Sequence, residues 1–319
     1  MESFEKLGQM VLAIALFAGV MGLILLLVGR VKRRAELVES LAFVVPALAL
    51  LSVGLVYPAI RTTYQSFFDR TSDTFVGLEN YTEVFTNPAM LTVLQNTAIW
   101  VILTPIMSTA VGLVYAVLVD RSRFEASAKA VIFLPMAISL VGASIIWKFV
   151  YEYRPDQQGI QQIGLLNQVL VWLGFEPQQF LLNAPLNTVF LILVMVWVQA
   201  GFAMTVLSAA IKAIPSDITD AAQLDGLGGI KMFRYITVPS IRPALIVVLT
   251  TIAIGTLKVF DIVRTMTGGQ FDTSVVANEF YTQGFRILNT GIASALAVLL
   301  FVLVVPLVVY NVLQMRKAA

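Results

Sequence analysis

The chain has 319 residues, 58% of them hydrophobic and 13% charged, with 21 Lys and Arg against 19 Asp and Glu for a net charge of +2. That is too little polar surface to cover a soluble globule of this size, and the dispersed basic residues leave no footprint for nucleic acid. With no Cys and no His, thiol chemistry, Cys/His zinc sites and His-based acid/base catalysis are all excluded.

Several apolar runs of about 20 residues match the roughly 30 Å of hydrocarbon a helix must cross. They predict an all-α, polytopic transmembrane helical bundle, because unpaired backbone groups are costly in lipid and the runs lack the alternation of a barrel. The first run, residues 10–28, has the length of a signal peptide. Glu2, Glu5 and Lys6 precede it in place of a basic segment, however, and Arg30, Lys32, Arg33 and Arg34 follow where a cleavage site would stand. Residues 1–40 are therefore read as a retained accessory helix with a basic linker, and residues 41–319 as the main transmembrane domain. Six core spans follow at residues 41–60, 97–119, 130–151, 186–210, 244–263 and 291–312. Placing the segments 29–40, 120–129, 211–243 and the C-terminus in the cytoplasm puts thirteen of the 21 basic residues there, with the N-terminus outside. The outer loops include Val76-Gly77-Leu78-Glu79-Asn80-Tyr81 and a segment from Gly164 through Asn167 to Gly174. Taken alone, these read as amphipathic stretches at the bilayer surface.

The segment 211–243 is polar and interrupts two spans. Pro215 suits the first turn of a helix, Asp217 and Asp220 favour its positive end, and Gly226 after Asp225 can take the left-handed conformation that ends it. A helix over 215–224 or 225 is predicted, then a reversal at Gly228 and Gly229, a second short helix over 230–235, and a restart at Pro239 and Pro243. Ile214, Ile218, Ala221 and Ala222 share one face of the first helix, where alanine permits close approach and Asp220 and Asp225 offer charged contacts at the edge. The plainer alternative is a water-facing hairpin with Asp220 and Asp225 as local caps. No Gly-x-x-x-x-Gly-Lys-Ser/Thr loop is present, the nearest Gly-rich piece being 226–232, so the chain cannot hydrolyse ATP by itself.

Intramembrane polar residues mark a bundle interior. They concentrate on either side of this segment, as Trp197, Gln199, Phe202, Thr205 and Ser208 before it and Thr250, Thr251, Thr256, Lys258 and Asp261 after it. Gly201 and Gly255 give close helix approach or room for a ligand. Aromatic faces beside amides and hydroxyls suit a sugar, although Trp197 and Phe202 also suit packing and Thr250 and Thr251 can bond back to their own helix. Lys258 and Asp261 lie one turn apart, and their mutual neutralisation is favoured over sugar contact.

The stretch Asp220-Ala221-Ala222-Gln223-Leu224-Asp225-Gly226, with Phe233, Ile236 and Pro239 after it, resembles the EAA loop of the permease subunits of bacterial ABC importers. Asp220 stands where that family usually has Glu, and Val238 where it usually has Leu. A second segment, 256–269, in which Phe260-Asp261 is followed by Thr267-Gly268-Gly269, is similar to sugar permeases of the MalF type, as is the small-residue run 291–297. Gln270-Phe271 replaces the usual Gly-Pro, a variant that looks most like the α-glucoside permeases. The resemblance covers residues 41–312, and the large external insertion of some MalF proteins is missing.

What the resemblance implies is a MalF/MetI-like fold of six core helices plus the accessory helix, in a bacterial inner membrane. Asp220, Ala221, Ala222, Asp225, Gly226, Ile236 and Pro239 would couple to an ABC ATPase dimer, which carries the ATP and Mg; this chain binds no cofactor and no metal and is not an enzyme. Gln199, Phe202, Thr251 and Gly255 are similar in placement to substrate-lining positions, with Lys258 as a further candidate. The implied partners are a MalG-like second permease, an extracytoplasmic solute-binding protein that the outer loops would contact, membrane lipid and a carbohydrate. The cargo would be an α-glucoside or related di- or oligosaccharide, with glycerol-phosphate-type cargo as the alternative. An ion-coupled secondary transporter would need an internal repeat and ionisable groups at the midplane, where only Lys258 and Asp261 occur. A membrane-embedded enzyme would need converging acidic groups, whereas Glu125, Glu152, Asp156 and Glu176 scatter.

Overall fold

A computed structural model describes residues 35–120, 122–155 and 164–318, together with scattered positions between 6 and 22. Most of the first apolar run, and Asp156, lie outside the described residues. Among the described residues everything regular is helical; one isolated bridge pairs Phe68 with Phe75. Packing divides the chain into residues 1–62 and 63–319.

In the first unit, α1 (Ala35–Leu51) continues through a π-helical turn at Ser52–Val56 into α2 (Tyr57–Gln65), whose last three residues fall in the second unit, and Val44–Gln65 is long and apolar enough to cross a membrane. Apart from Ser52, residues 44–60 are apolar or aromatic around the whole circumference, as a span in lipid or between other helices requires, and Arg61, Thr62, Thr63 and Gln65 make its end polar.

The second unit is built on two long helices. After the short α3 (Glu79–Thr86), α4 (Pro88–Val119) runs 32 residues, about 48 Å. It begins nine residues before the predicted span because Asn87 caps it, the side-chain oxygen accepting from the Ala89 amide at 2.9 Å, with Pro88 in the first turn. The central helix is α8 (Leu186–Lys212), whose apolar window is more than half buried. On α4, Thr104, Ser108, Gly112 and Ala116 are buried at four-residue intervals. At Gly112 the two backbones are so close that an added Cβ would lie 2.5 Å from Ala203 Cβ and 2.7 Å from the Met204 amide nitrogen, the small-residue contact expected between membrane helices. Around this pair, Trp100, Leu191, Ile192, Met195, Ile262 and Val263 form one core, and Ala203, Met204, Leu207, Val248 and Ile252 another.

Two predicted spans are broken. The span expected at 130–151 is α5 (Glu125–Phe133), a 3₁₀ turn at Leu134–Ala137 and α6 (Leu140–Val150), bent by 101°. Pro135 occupies the turn and Ser139 caps α6, its Oγ accepting from the Gly142 amide at 3.1 Å, so the chain restarts in a new direction. Beyond the short α7 (Leu165–Trp172) and α8, the segment after the loop forms α9 (Ser216–Leu224), α10 (Gly229–Met232), a π-turn at Phe233–Thr237, α11 (Val238–Ser240) and α12 (Arg242–Leu257), with a 69° bend before α12. The span expected at 244–263 thus stops at Leu257; an irregular Lys258–Phe260 precedes α13 (Asp261–Met266). After α14 (Val276–Tyr281), α15 (Thr290–Ala318) closes the unit, Asn311 hydrogen-bonding Thr250 of α12. The described residues therefore hold four unbroken candidate spans, or six if each bent pair counts as one.

The end of the unit away from the 211–243 segment is stitched by asparagine amides. Asn80 donates to the carbonyls of Ser66 (2.9 Å) and Phe68 (2.7 Å), and Asn167 to those of Glu152 (2.7 Å) and Gln178 (3.1 Å). Both side chains are buried. Expected among surface-lying stretches, they instead satisfy loop carbonyls that would otherwise be orphaned.

Candidate functional site

The 211–243 segment is a structured foot joining α8 to α12. Pro215 is the extended residue before α9 (φ −56, ψ 138) rather than its first helical residue. Gly226 ends the helix at φ 79: its amide bonds the Gln223 carbonyl at 3.0 Å, and the Leu227 amide reaches back to Ala222 at 2.9 Å, the paired closure that a left-handed residue permits. The reversal at Gly228 and Gly229 and the second short helix stand where the sequence predicts them.

Of the predicted coupling residues, Ala222 is buried, Ile236 is half-buried, and Asp220, Ala221, Asp225, Gly226 and Pro239 are exposed. Ile214 packs against the second core, and together with Pro215, Ile218, Ile241 and Pro243 it lines a cavity of about 310 Å³ under the foot. Sequence reasoning missed the foot's apolar tip: Leu224 is 90% exposed, Ile230 84% and Tyr235 61%. Beside Asp217, Asp220 and Asp225 they make an exposed surface that mixes apolar and acidic side chains.

At the root of the foot lies an ion cluster. Asp120, at the C-terminus of α4, is 10% exposed and pairs with Lys129 of α5 at 2.5 Å. Lys129 also meets Glu125 at 2.8 Å, while Lys212, the last residue of α8, reaches Glu125 and lies 3.9 Å from Asp120. Ser208 donates to Asp120 Oδ1 at 2.6 Å. The cluster ties α4 and α5 to α8 four residues before α9 starts. Glu125 is therefore not a scattered loop acid; its i,i+4 spacing to Lys129, and that of Ser208 to Lys212, was the available signal. Among the described residues no group of acidic side chains could hold a metal ion.

The path candidates fall on two helices and are not enclosed together. Gln199 and Phe202 are half-buried on α8, Phe202 packing against the second core. Thr251 and Gly255 on α12, and Lys258 just after it, repeat at i, i+4 and i+7; Thr251 and Lys258 are exposed. The two glycines separate in role. A Cβ on Gly201 would meet the Ile132 carbonyl at 2.7 Å, a close approach of α8 to α5, whereas Gly255 faces open space. The favoured Lys258–Asp261 ion pair is absent from the described residues: the helix ends at Leu257 and Phe260 is non-helical (φ −132), so the two are not one turn apart on a continuous helix.

The family model described as "Binding-protein-dependent transport system inner membrane component" matches residues 108–317. The chain is 48% identical over 274 residues, 86% of its length and 98% of the relative's, to the osmoprotective compounds uptake permease protein GgtC of Synechocystis sp.. It is 42% identical over 281 residues, 88% and 83% of the two lengths, to the alpha-glucoside transport system permease protein AglF of Rhizobium meliloti. In fold it is similar to a chain of a bacterial alginate ABC transporter solved in complex with an alginate pentasaccharide-bound periplasmic protein (TM-score 0.73, 20% identity, covering 90% of this chain and 98% of that one).

Proposed function

Because the chain belongs to the binding-protein-dependent transport system inner membrane component family, we propose that it forms half the pore of an ABC importer for a carbohydrate, an α-glucoside or related di- or oligosaccharide. It is a multi-pass permease subunit. The observation that carries the coupling mechanism is the foot, a run of short helices with exposed Leu224, Ile230, Asp220 and Asp225 between the two helices that bear the path candidates. An ATPase dimer that holds ATP and Mg grips this surface from the cytoplasm. Its closure moves α9, and because Ser208 and Lys212 tie α8 to Asp120 and Glu125, the motion reaches α4 and α5 as a unit. A second permease completes the pore. An extracytoplasmic solute-binding protein delivers cargo at the other end, a partner supported by the periplasmic protein in the alginate complex. Alternating access then requires only that cargo and ATP favour different arrangements of the two permeases. No bond in the cargo changes.

The α-glucoside relative supports the sugar; the 48% identical relative supports osmoprotective compounds as a second reading of the cargo. Gln199, Phe202, Thr251, Gly255 and Lys258 would line its path. The test is ATP hydrolysis by the complete importer in nanodiscs with loaded binding protein, using maltose, trehalose and sucrose. Stimulation by at least one of them is expected, and stimulation by none would remove the α-glucoside assignment.

A further inference from the structure

At the end of the bundle away from the foot is a pocket of about 230 Å³ that includes none of the path candidates. Its floor is closely packed: Tyr151 is buried, its ring lies 5.6 Å from those of both Phe180 and Phe190, and its hydroxyl donates to the Phe190 carbonyl at 3.1 Å. Lys148, in the last turn of α6, and Glu152, just past its end, line the pocket with Tyr153 and Gln179. Neither Lys148 nor Glu152 has an ion-pair partner among the described residues. Opposite them stands Phe271, a non-glycine residue at φ 56 with 47% of its surface exposed.

That strained turn is held deliberately. The buried Asn187 donates to the Phe271 carbonyl at 2.7 Å, and the buried Asn96 to the next carbonyl, Asp272. Two buried amides thus fix an unfavourable backbone whose ring is left half in the open, which is strain maintained for something other than core packing. The volume is below the roughly 300–1,000 Å³ of pockets that enclose drug-sized ligands, and suits one sugar ring. An aromatic face with a carboxylate, an ammonium and an amide at its edge matches a pyranose, whose C–H face packs on a ring while its hydroxyls take hydrogen bonds.

We propose that this pocket is an entry subsite for a single sugar ring, with Phe271 as its stacking platform and Glu152, Lys148 and Gln179 as its hydroxyl partners. The proposal rests on the importer reading and adds to it a first station, about 18 Å along α8 from Gln199 if measured from Asn187. Because glycine takes a left-handed φ freely, Phe271→Gly removes the ring without stressing the turn, and Phe271→Tyr keeps the ring.

The experiment is saturation-transfer NMR on the complete importer in nanodiscs without binding protein, with methyl α-glucoside and maltose as probes. Wild type and Phe271→Tyr should both show transfer to the sugar ring, and Phe271→Gly should weaken it roughly 3- to 10-fold. Glu152→Gln should weaken it as well. Equal transfer in wild type and Phe271→Gly, or no transfer to either sugar, overturns the subsite. In a separate titration of binding protein onto the same importers, weaker docking to Phe271→Gly with unchanged sugar transfer also overturns it. Sugar-stimulated ATP hydrolysis is measured in parallel on the same importers with loaded binding protein added: if it persists while transfer is unaffected by Phe271→Gly, the subsite alone fails, and if no sugar stimulates, the α-glucoside reading on which the subsite rests fails.

Discussion

Leu224 is the last residue of α9 and is 90% exposed, so its side chain contributes almost nothing to the fold of the isolated subunit. Replacing it by alanine removes three carbons. If an ATPase groove covers them fully, at about 0.8 kcal/mol per methylene the loss is about 2.4 kcal/mol, or roughly a 60-fold weaker complex. A substitution at so exposed a position should leave the subunit's own stability within about 0.5 kcal/mol. The assay is titration of the ATPase onto the permease pair in nanodiscs by biolayer interferometry, alongside thermal unfolding of the pair. Ile230→Ala, at 84% exposure, should behave similarly. The opposite pattern is expected of Ala222→Leu, because Ala222 is 5% exposed and a larger side chain there displaces the foot from the bundle. An affinity unchanged within about twofold for both Leu224→Ala and Ile230→Ala, well inside the roughly 1.4 kcal/mol that one decade represents, would refute the reasoning.

Asp120→Asn leaves Lys129 and Lys212 facing a neutral amide and should destabilise the pair by roughly 2–3 kcal/mol, with ATP hydrolysis less coupled to uptake. Combining it with Lys129→Met should cost less than the sum of the single changes, as thermal unfolding of the four variants would show. Gly112→Ala forces a Cβ to 2.5 Å from Ala203 and should destabilise by about 1–3 kcal/mol. Gly255→Ala meets open space and should keep full stability while lowering uptake, so stability and transport measured together separate a packing glycine from a path glycine. In the loop after α2, the Thr74 amide, with that of Asp73, holds the Asp69 carboxyl below its ordinary value of 3.8 against the opposing effect of burial. Its folded value being depressed, its stabilisation is present above the unfolded value and is lost as pH falls through the folded one. Amide exchange of residues 73 and 74, corrected for intrinsic rates, should therefore accelerate below pH ~4 in wild type but not in Asp69→Asn.

The foot was legible because its information is local. Asp217 and Asp220 in or near the first turn, Gly226 at the closing position and the Gly228-Gly229 reversal act within a few residues of themselves, and the helix they specify is found within one residue of its expected ends. The long spans were legible from apolar length alone. The bends were not: Pro135 and Ser139 sit within a run whose average hydrophobicity is that of a single span, and only the backbone consequence of a proline followed by a cap divides it. The same averaging hid the break after Leu257 and suggested an ion pair between Lys258 and Asp261. Long-range features were beyond a local reading. Asp120 meets Ser208 across 88 residues, and Asn187 meets Phe271 across 84. The replacement of Gly-Pro by Gln270-Phe271 was visible in the sequence, but its meaning depends on the left-handed turn and the pocket that only the fold assembles.

The chain contains no cysteine, so a single thiol can be placed on the foot without background. Leu224→Cys in native membranes, treated with a short bifunctional cross-linker, tests the central claim most directly. A product joining this chain to its ATPase subunit, its yield changing between ATP-bound and nucleotide-free states, is predicted. Efficient labelling of that thiol from the outer side of the membrane, or labelling from the cytoplasm with no ATPase product in any nucleotide state, would contradict the account.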